Sequence, residues 1–163
     1  MINKKEFESL SSRVHSSFQQ LAAAASTLNS ASDQLSKVVA EVDAALKPLN
    51  VGLVCWVDIH EPATRADGRV TYYEQIGYAK VNGSWGIAIR TMEEYDQSPG
   101  DSPDPEEWAF NDAPRKLRLK AIDAIPRLLE KLAKDAEKFT KSVTEKAAEA
   151  QQLLSAVKGG LGK

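Results

Sequence analysis

The stretch VTYYEQIGYAKVNGSWGIAIRT (70–91) decides the fold. On either side of Asn82-Gly83 the apolar residues recur every second position, the period of a half-buried strand. Asn-Gly is the strongest short hairpin signal, because a type I′ turn needs φ > 0 at both central residues. A two-residue turn there sets Lys80 opposite Trp85, Tyr78 opposite Ile87 and Ile76 opposite Ile89. VGLVCWVDIH (51–60) continues the period upstream. Treating Asp67-Gly68 as a second tight turn sets Val57 opposite Tyr78 and Ile59 opposite Ile76. The three strands then sort into two faces. Cys55, Val57, Ile59, Ile76, Tyr78, Trp85, Ile87 and Ile89 form a core face. Trp56, Asp58, His60, Gln75, Gly77, Ala79, Gly86, Ala88 and Arg90 form the other. A slip of one residue would scramble this sorting, so its consistency supports the register.

Outside residues 49–92 the period changes from 2 to 3.5. Phe7, Val14, Leu21, Leu28, Leu35, Val42 and Leu49 recur every seven residues, with a second row at Leu10, Phe18, Ala24, Ala25, Ala31, Val38, Val39, Ala45 and Leu46. Residues 1–48 therefore read as one long helix, ended by Pro48. Residues 113–158 repeat the device: Ile122, Leu129, Ala136, Val143, Ala150 and Val157 form one row. Ile125, Leu132, Phe139, Lys146 and Leu153 form the other. Asp112 is the expected N-cap, Pro126 the expected kink, and Gly159-Gly160 the expected stop before a 159–163 tail.

The expected fold is α+β, in the order α-β-β-β-α. A three-stranded antiparallel β-meander is inserted between two long helices that pair as an antiparallel coiled coil, within a single elongated domain spanning 1–163. This layout, a β insert between paired helices, resembles that of prefoldin-type chaperone subunits. The likeness is one of architecture alone and implies no activity.

Of 163 residues, 42% are apolar and 27% charged, for a formal net charge of −2. That sum hides three unlike parts: 5 basic and 5 acidic residues in 1–48, 4 and 12 in 49–112, and 12 and 6 in 113–163. The single Cys excludes an internal disulfide framework and a Cys-only metal site. No apolar run is long enough for a membrane span, and the first residues lack the apolar core of a secretory signal. A cytoplasmic protein is expected.

Catalytic patterns are poorly served. The only histidines are His15, expected on an exposed helix flank, and His60, whose strand parity points it away from Cys55. VNGSWG matches neither phosphate-loop pattern, and no metal-ligand spacing occurs. The expectation is a non-enzymatic protein without metal or cofactor. Trp56, Asp58, His60, Gln75 and Arg90 make the one cluster of mixed polar types on a rigid element. Its plain explanation is the solvated side of an antiparallel sheet. The small strip of Gly77, Ala79, Gly86 and Ala88 argues that something lies close against that face.

Residues 93–112 hold eight acidic residues, three Pro and one Gly, and read as a long loop. Glu106, Glu107 and Trp108, near its far end, join the candidate binding residues. The leading expectation is a protein–protein interaction module: an adaptor, scaffold or inhibitor presenting the sheet face and acidic loop from a helical stalk, with oligomerisation through the helix seams. The alternatives are nucleic-acid binding through the basic stripe from Arg115 to Lys141, nucleic-acid mimicry by the acidic loop as in some phage inhibitors, and small-ligand binding on the polar sheet face.

Overall fold

The computed structural model describes residues 4–160. It is an α+β fold in which two long helices flank an antiparallel sheet in the sequence. Contacts divide the chain into two compact units, Met1–Val42 and Asp43–Lys163. The first is helical throughout its described length, as the greater part of α1 (Lys4–Leu46). The second opens with the last turn of α1. Pro48 then closes the helix through a 3-10 turn at Lys47–Leu49, and Asn50 leaves it in the left-handed conformation at φ 45°.

The sheet has five strands: β1 (Cys55–Asp58), β2 (Ala63–Thr64), β3 (Val70–Val81), β4 (Ser84–Tyr95) and β5 (Glu106–Ala109). Its order is β1-β3-β4-β5, with β2 also on β3. The hairpin forms as its sequence requires, with Asn82 at φ 50° and Gly83 at φ 83°. Ile76 pairs with Ile89, Tyr78 with Ile87 and Lys80 with Trp85.

Two expectations about the sheet are corrected. Cys55, not Val57, lies opposite Tyr78, and Val57 lies opposite Ile76. The Asp67-Gly68 register does hold for β2, where Ala63 faces Tyr72 and Thr64 faces Thr71. Between β1 and β2, however, four residues (59–62) oppose only two on β3. Pro62 cannot donate to a ladder, so this segment bulges out. The two extra residues shift β1 by an even number, and each side chain of β1 keeps its face.

The segment 93–112 is also less of a loop than its composition suggests. Glu93, Glu94 and Tyr95 complete β4, opposite Tyr72, Thr71 and Val70. Residues Glu106–Ala109 form β5, pairing Trp108 with Ile89 and Glu107 with Arg90. Tyr73 donates its hydroxyl proton to Glu94, and the Ser102 hydroxyl accepts from the Tyr95 N–H. Acidic side chains stand at the margin of the sheet, where water solvates them, so their number did not prevent strand formation.

The apolar face is covered by α2 (Arg115–Ala121) and α3 (Ile125–Gly160). Leu117, Ala121, Ala124, Leu128 and Leu132 form the buried stripe against Cys55, Ile76, Tyr78, Ile87 and Ile89. Of the expected rows, Leu132 belongs to this stripe, Ile122, Ile125 and Leu129 lie beside it half-buried, and Phe139, Val143, Leu153 and Val157 are exposed. Phe110 is buried, and Trp108 is half-buried.

The break before Pro126 appears as a 3-10 turn at Ile122–Ala124, since Pro126 supplies no N–H to residue 122. Asp112 is not the N-cap. It lies in a preceding 3-10 turn, and Pro114 stands at the cap, its carbonyl accepting from Leu117 and Arg118. Gly159 and Gly160 continue α3 instead of ending it. The rest of the expected tail, 161–163, lies outside the described residues, as do 1–3.

The small strip is in close contact, as its composition implied. A Cβ on Gly77 would stand 2.3 Å from Trp56 Cε3 and 2.5 Å from the Cys55 carbonyl oxygen. On Gly86 it would stand 3.1 Å from the Asp43 carboxylate, which accepts the Ile87 N–H at 2.8 Å. Gly77→Ala should therefore destabilise the protein by about 1–3 kcal/mol, because both neighbours are fixed in the sheet. Urea unfolding checks this, with Gly100→Ala as the comparison: nothing lies within 4 Å of that position, and its effect should stay within about 0.5 kcal/mol.

Candidate functional site

Five of the eight candidate residues meet on the polar face of the sheet. Asp58 on β1, Gln75 on β3, Arg90 on β4 and Glu107 on β5 are consecutive cross-strand partners. Gln75 donates through Nε2 to Asp58 Oδ1 at 2.7 Å, and Arg90 donates through Nε to Gln75 Oε1 at 2.7 Å. Arg90 Nη1 lies 3.7 Å from Glu107 Oε1. The guanidinium carbon lies 4.3 Å from the centroid of the Trp56 ring, a cation–π contact. The β ladder itself builds this row: four strands in register bring four polar side chains within reach of one another across the sheet.

The row is electrostatically closed. Arg90 stands between carboxylates at Asp58 and Glu107, and Gln75 links it to the first by donating to one neighbour and accepting from the other. Burial pulls the Arg90 guanidinium below its ordinary value, while Glu107 and Asp58 act in the opposite direction. Here Nε is engaged by Gln75, Nη1 faces Glu107, and the guanidinium lies over the indole of Trp56.

The other three candidates are elsewhere. Glu106 and Trp108 alternate with Glu107 along β5, so they share the face of Thr91 and Ile89. His60 was expected beside Asp58, but it sits in the bulge after β1, where strand parity no longer applies. Its Nε2 lies 2.7 Å from Glu74 Oε2, and its Nδ1 lies 2.9 Å from the Glu61 carbonyl oxygen. Lys120 Nζ of α2 donates to the same Glu74 oxygen at 2.7 Å.

The second cluster, His60–Glu74–Lys120, was missed in the sequence. Glu74 is one polar residue in a strand, and its partners lie 14 and 46 positions away, with no local signal joining them. The Glu61 carbonyl and then Glu74 raise His60 above the ordinary imidazole value. Burial pushes Glu74 up, but hydrogen bonds from Lys120 and His60 outweigh it and hold the carboxyl low.

Elsewhere the basic stripe is partly engaged. Arg127 donates to the carbonyls of Asp58 and Ile59, and Lys131 pairs with Asp135. Cys55 is 1% exposed on the core face. Burial pushes its thiol up, which makes it a poor nucleophile. His15 is exposed, within 3.0 Å of Gln19 on the next turn of α1.

Two outcomes follow. Gln75→Glu would set a new carboxylate against Asp58 and remove the donor joining them, so it should destabilise the fold by about 1–3 kcal/mol in chemical unfolding. His60 has a raised folded value, so its contribution is complete below the unfolded value and is lost as pH rises through the folded one. Glu74 has a lowered value, so its contribution is present above the unfolded value and is lost as pH falls through the folded one. The stability lost in His60→Gln should thus be larger near pH 6 than near pH 8.5, as read by thermal unfolding at the two pH values. Compared with protein-family models, curated proteins and solved structures, the chain matches none.

Proposed function

We propose that this chain is a non-enzymatic protein–protein interaction module that works through the apolar rows of its helices, with the sheet as a rigid base. One observation carries the reading. Phe7, Leu10, Val14, Phe18, Leu21 and Leu28 on α1, and Phe139, Val143, Leu153, Leu154 and Val157 on α3, are large apolar residues exposed to solvent. Monomeric proteins leave single apolar residues in water, but contiguous rows of them mark interaction surfaces. The seven-residue spacing favours a helical occupant, since knobs-into-holes packing needs that repeat on both sides. Coiled-coil pairing of the seams, within one chain or between chains, belongs to this proposal.

The polar sheet face fits a structural role better than ligand binding, because its hydrogen-bonding groups answer one another. Nucleic-acid binding is less favoured for a similar reason: Lys120, Arg127 and Lys131 of the basic stripe already have partners in the chain. Among the described residues, no helix is long and apolar enough to cross a membrane.

The test is affinity capture with the intact protein and with a Val143→Glu/Val157→Glu variant. Both positions are exposed, so the fold should survive the substitutions. Partners held by the α3 row should be lost from the variant, and an unchanged set of captured proteins would remove this reading. Duplex DNA or RNA should show no mobility shift at low salt, where phosphate contacts are strongest. A salt-sensitive shift would favour the basic stripe instead.

A further inference from the structure

We propose that the N-terminal part of α1, residues 7–31, is the docking site for a second copy of itself, in an antiparallel α1–α1 pair centred near Gln19. The inference rests on the reading of the helix rows as interfaces and names the occupant of one of them. Every described side chain from Glu6 to Ala31 is exposed. Helices owe most of their stability in water to packing of an apolar face. The stretch does hold such a face, in Phe7, Leu10, Val14, Phe18, Leu21 and Leu28.

Three features select a second copy over an unrelated helix. The first is size matching. When two copies run antiparallel and Phe7 of one faces Ala31 of the other, Leu10 faces Leu28, Val14 faces Ala24 and Ser17 faces Leu21. At three of these four layers a bulky residue meets a small one, so the two helices can approach closely and still fill the seam. The two-fold repeats each layer, and the paired span, 7–31, coincides with the open span.

The second feature is charge. From Ser9 to Ser32 the only formally charged residue is Arg13. Heterotypic coiled coils choose partners by complementary flanking charges, and this stretch carries almost none. In the antiparallel arrangement Glu6 and Glu8 face Ser32 and Ser30, and Arg13 faces Ala25, so no like charges meet. The third is area. Phe7, Leu10, Val14, Leu21 and Leu28 all lie in the paired layers, so each copy brings five large apolar side chains and the alanines between them towards the ~800 Å² per partner of a stable interface.

The test uses the full chain. Sedimentation should give twice the 17.8 kDa chain mass at micromolar concentration. Val14→Glu/Leu21→Glu should raise the dissociation constant by about 100-fold or more, because each buried face would receive unpaired carboxylates. All three tryptophans, Trp56, Trp85 and Trp108, lie in the sheet strands, so unchanged tryptophan emission would show that the variant keeps its fold. Mixing chains carrying Val14→Cys with chains carrying Ala24→Cys should give a mixed disulfide under mild oxidation, while Val14→Cys alone should give none.

A monomer at micromolar concentration overturns the proposal, as does a dimer indifferent to Val14→Glu/Leu21→Glu. A 14–14 disulfide overturns it too, because that product requires parallel helices. None of these outcomes touches the capture experiment on α3, so failure here is distinct from failure of the interaction reading itself.

Discussion

The register of the β3–β4 hairpin is the constraint from which the rest of the second unit follows. Asn82 and Gly83 can hold positive φ at low cost, and so the turn contains two residues and no other number. With that fixed, Ile76, Tyr78, Ile87 and Ile89 share one face, and Gln75 and Arg90 share the other. The first set creates the surface on which Leu117, Ala121, Ala124, Leu128 and Leu132 are buried. The second creates a row that β1 extends with Asp58 and β5 with Glu107.

That row shows how proximity differs from availability. Trp56, Asp58, Gln75 and Arg90 gather as strand parity implied, and Glu107 of β5 takes the place expected for His60, but each answers the chemistry of its neighbours. A carboxylate, an amide, a guanidinium and a second carboxylate in sequence satisfy one another across the sheet, with an indole under the cation. On the helices, by contrast, large apolar side chains stand exposed.

Local signals made the helices, the hairpin and the sorting of β1 legible in the sequence. Turn chemistry, proline positions and periodicity act over a few residues, and each was readable at Asn82, Pro48 and Pro126. What escaped was non-local or compensated. The bulge at 59–62 preserves the face of β1 while displacing His60, and only the pairing of β2 reveals it. The acidic composition of 93–112 hid four residues of β5, since solvated carboxylates at a sheet margin tolerate strand geometry. Glu74 gained its role from Lys120, 46 positions away, and no pattern in a single sequence links the two. The expected coiled-coil pairing is not shown, because a heptad row alone does not say which helix, if any, packs on it.

Asp43 and Arg127 share a consequence. The Ile87 N–H points past the end of β5, where the next strand would add, and the Asp43 carboxylate occupies it. On the other side Arg127 holds the carbonyls at the end of β1. Each therefore acts as a stopper against growth of the sheet by strand addition, the route by which open edges lead to aggregates. Glu106 sets an exposed negative charge on the remaining edge strand. A protein closed in this way can carry exposed apolar helices at high concentration with less risk that their association spreads into the sheet.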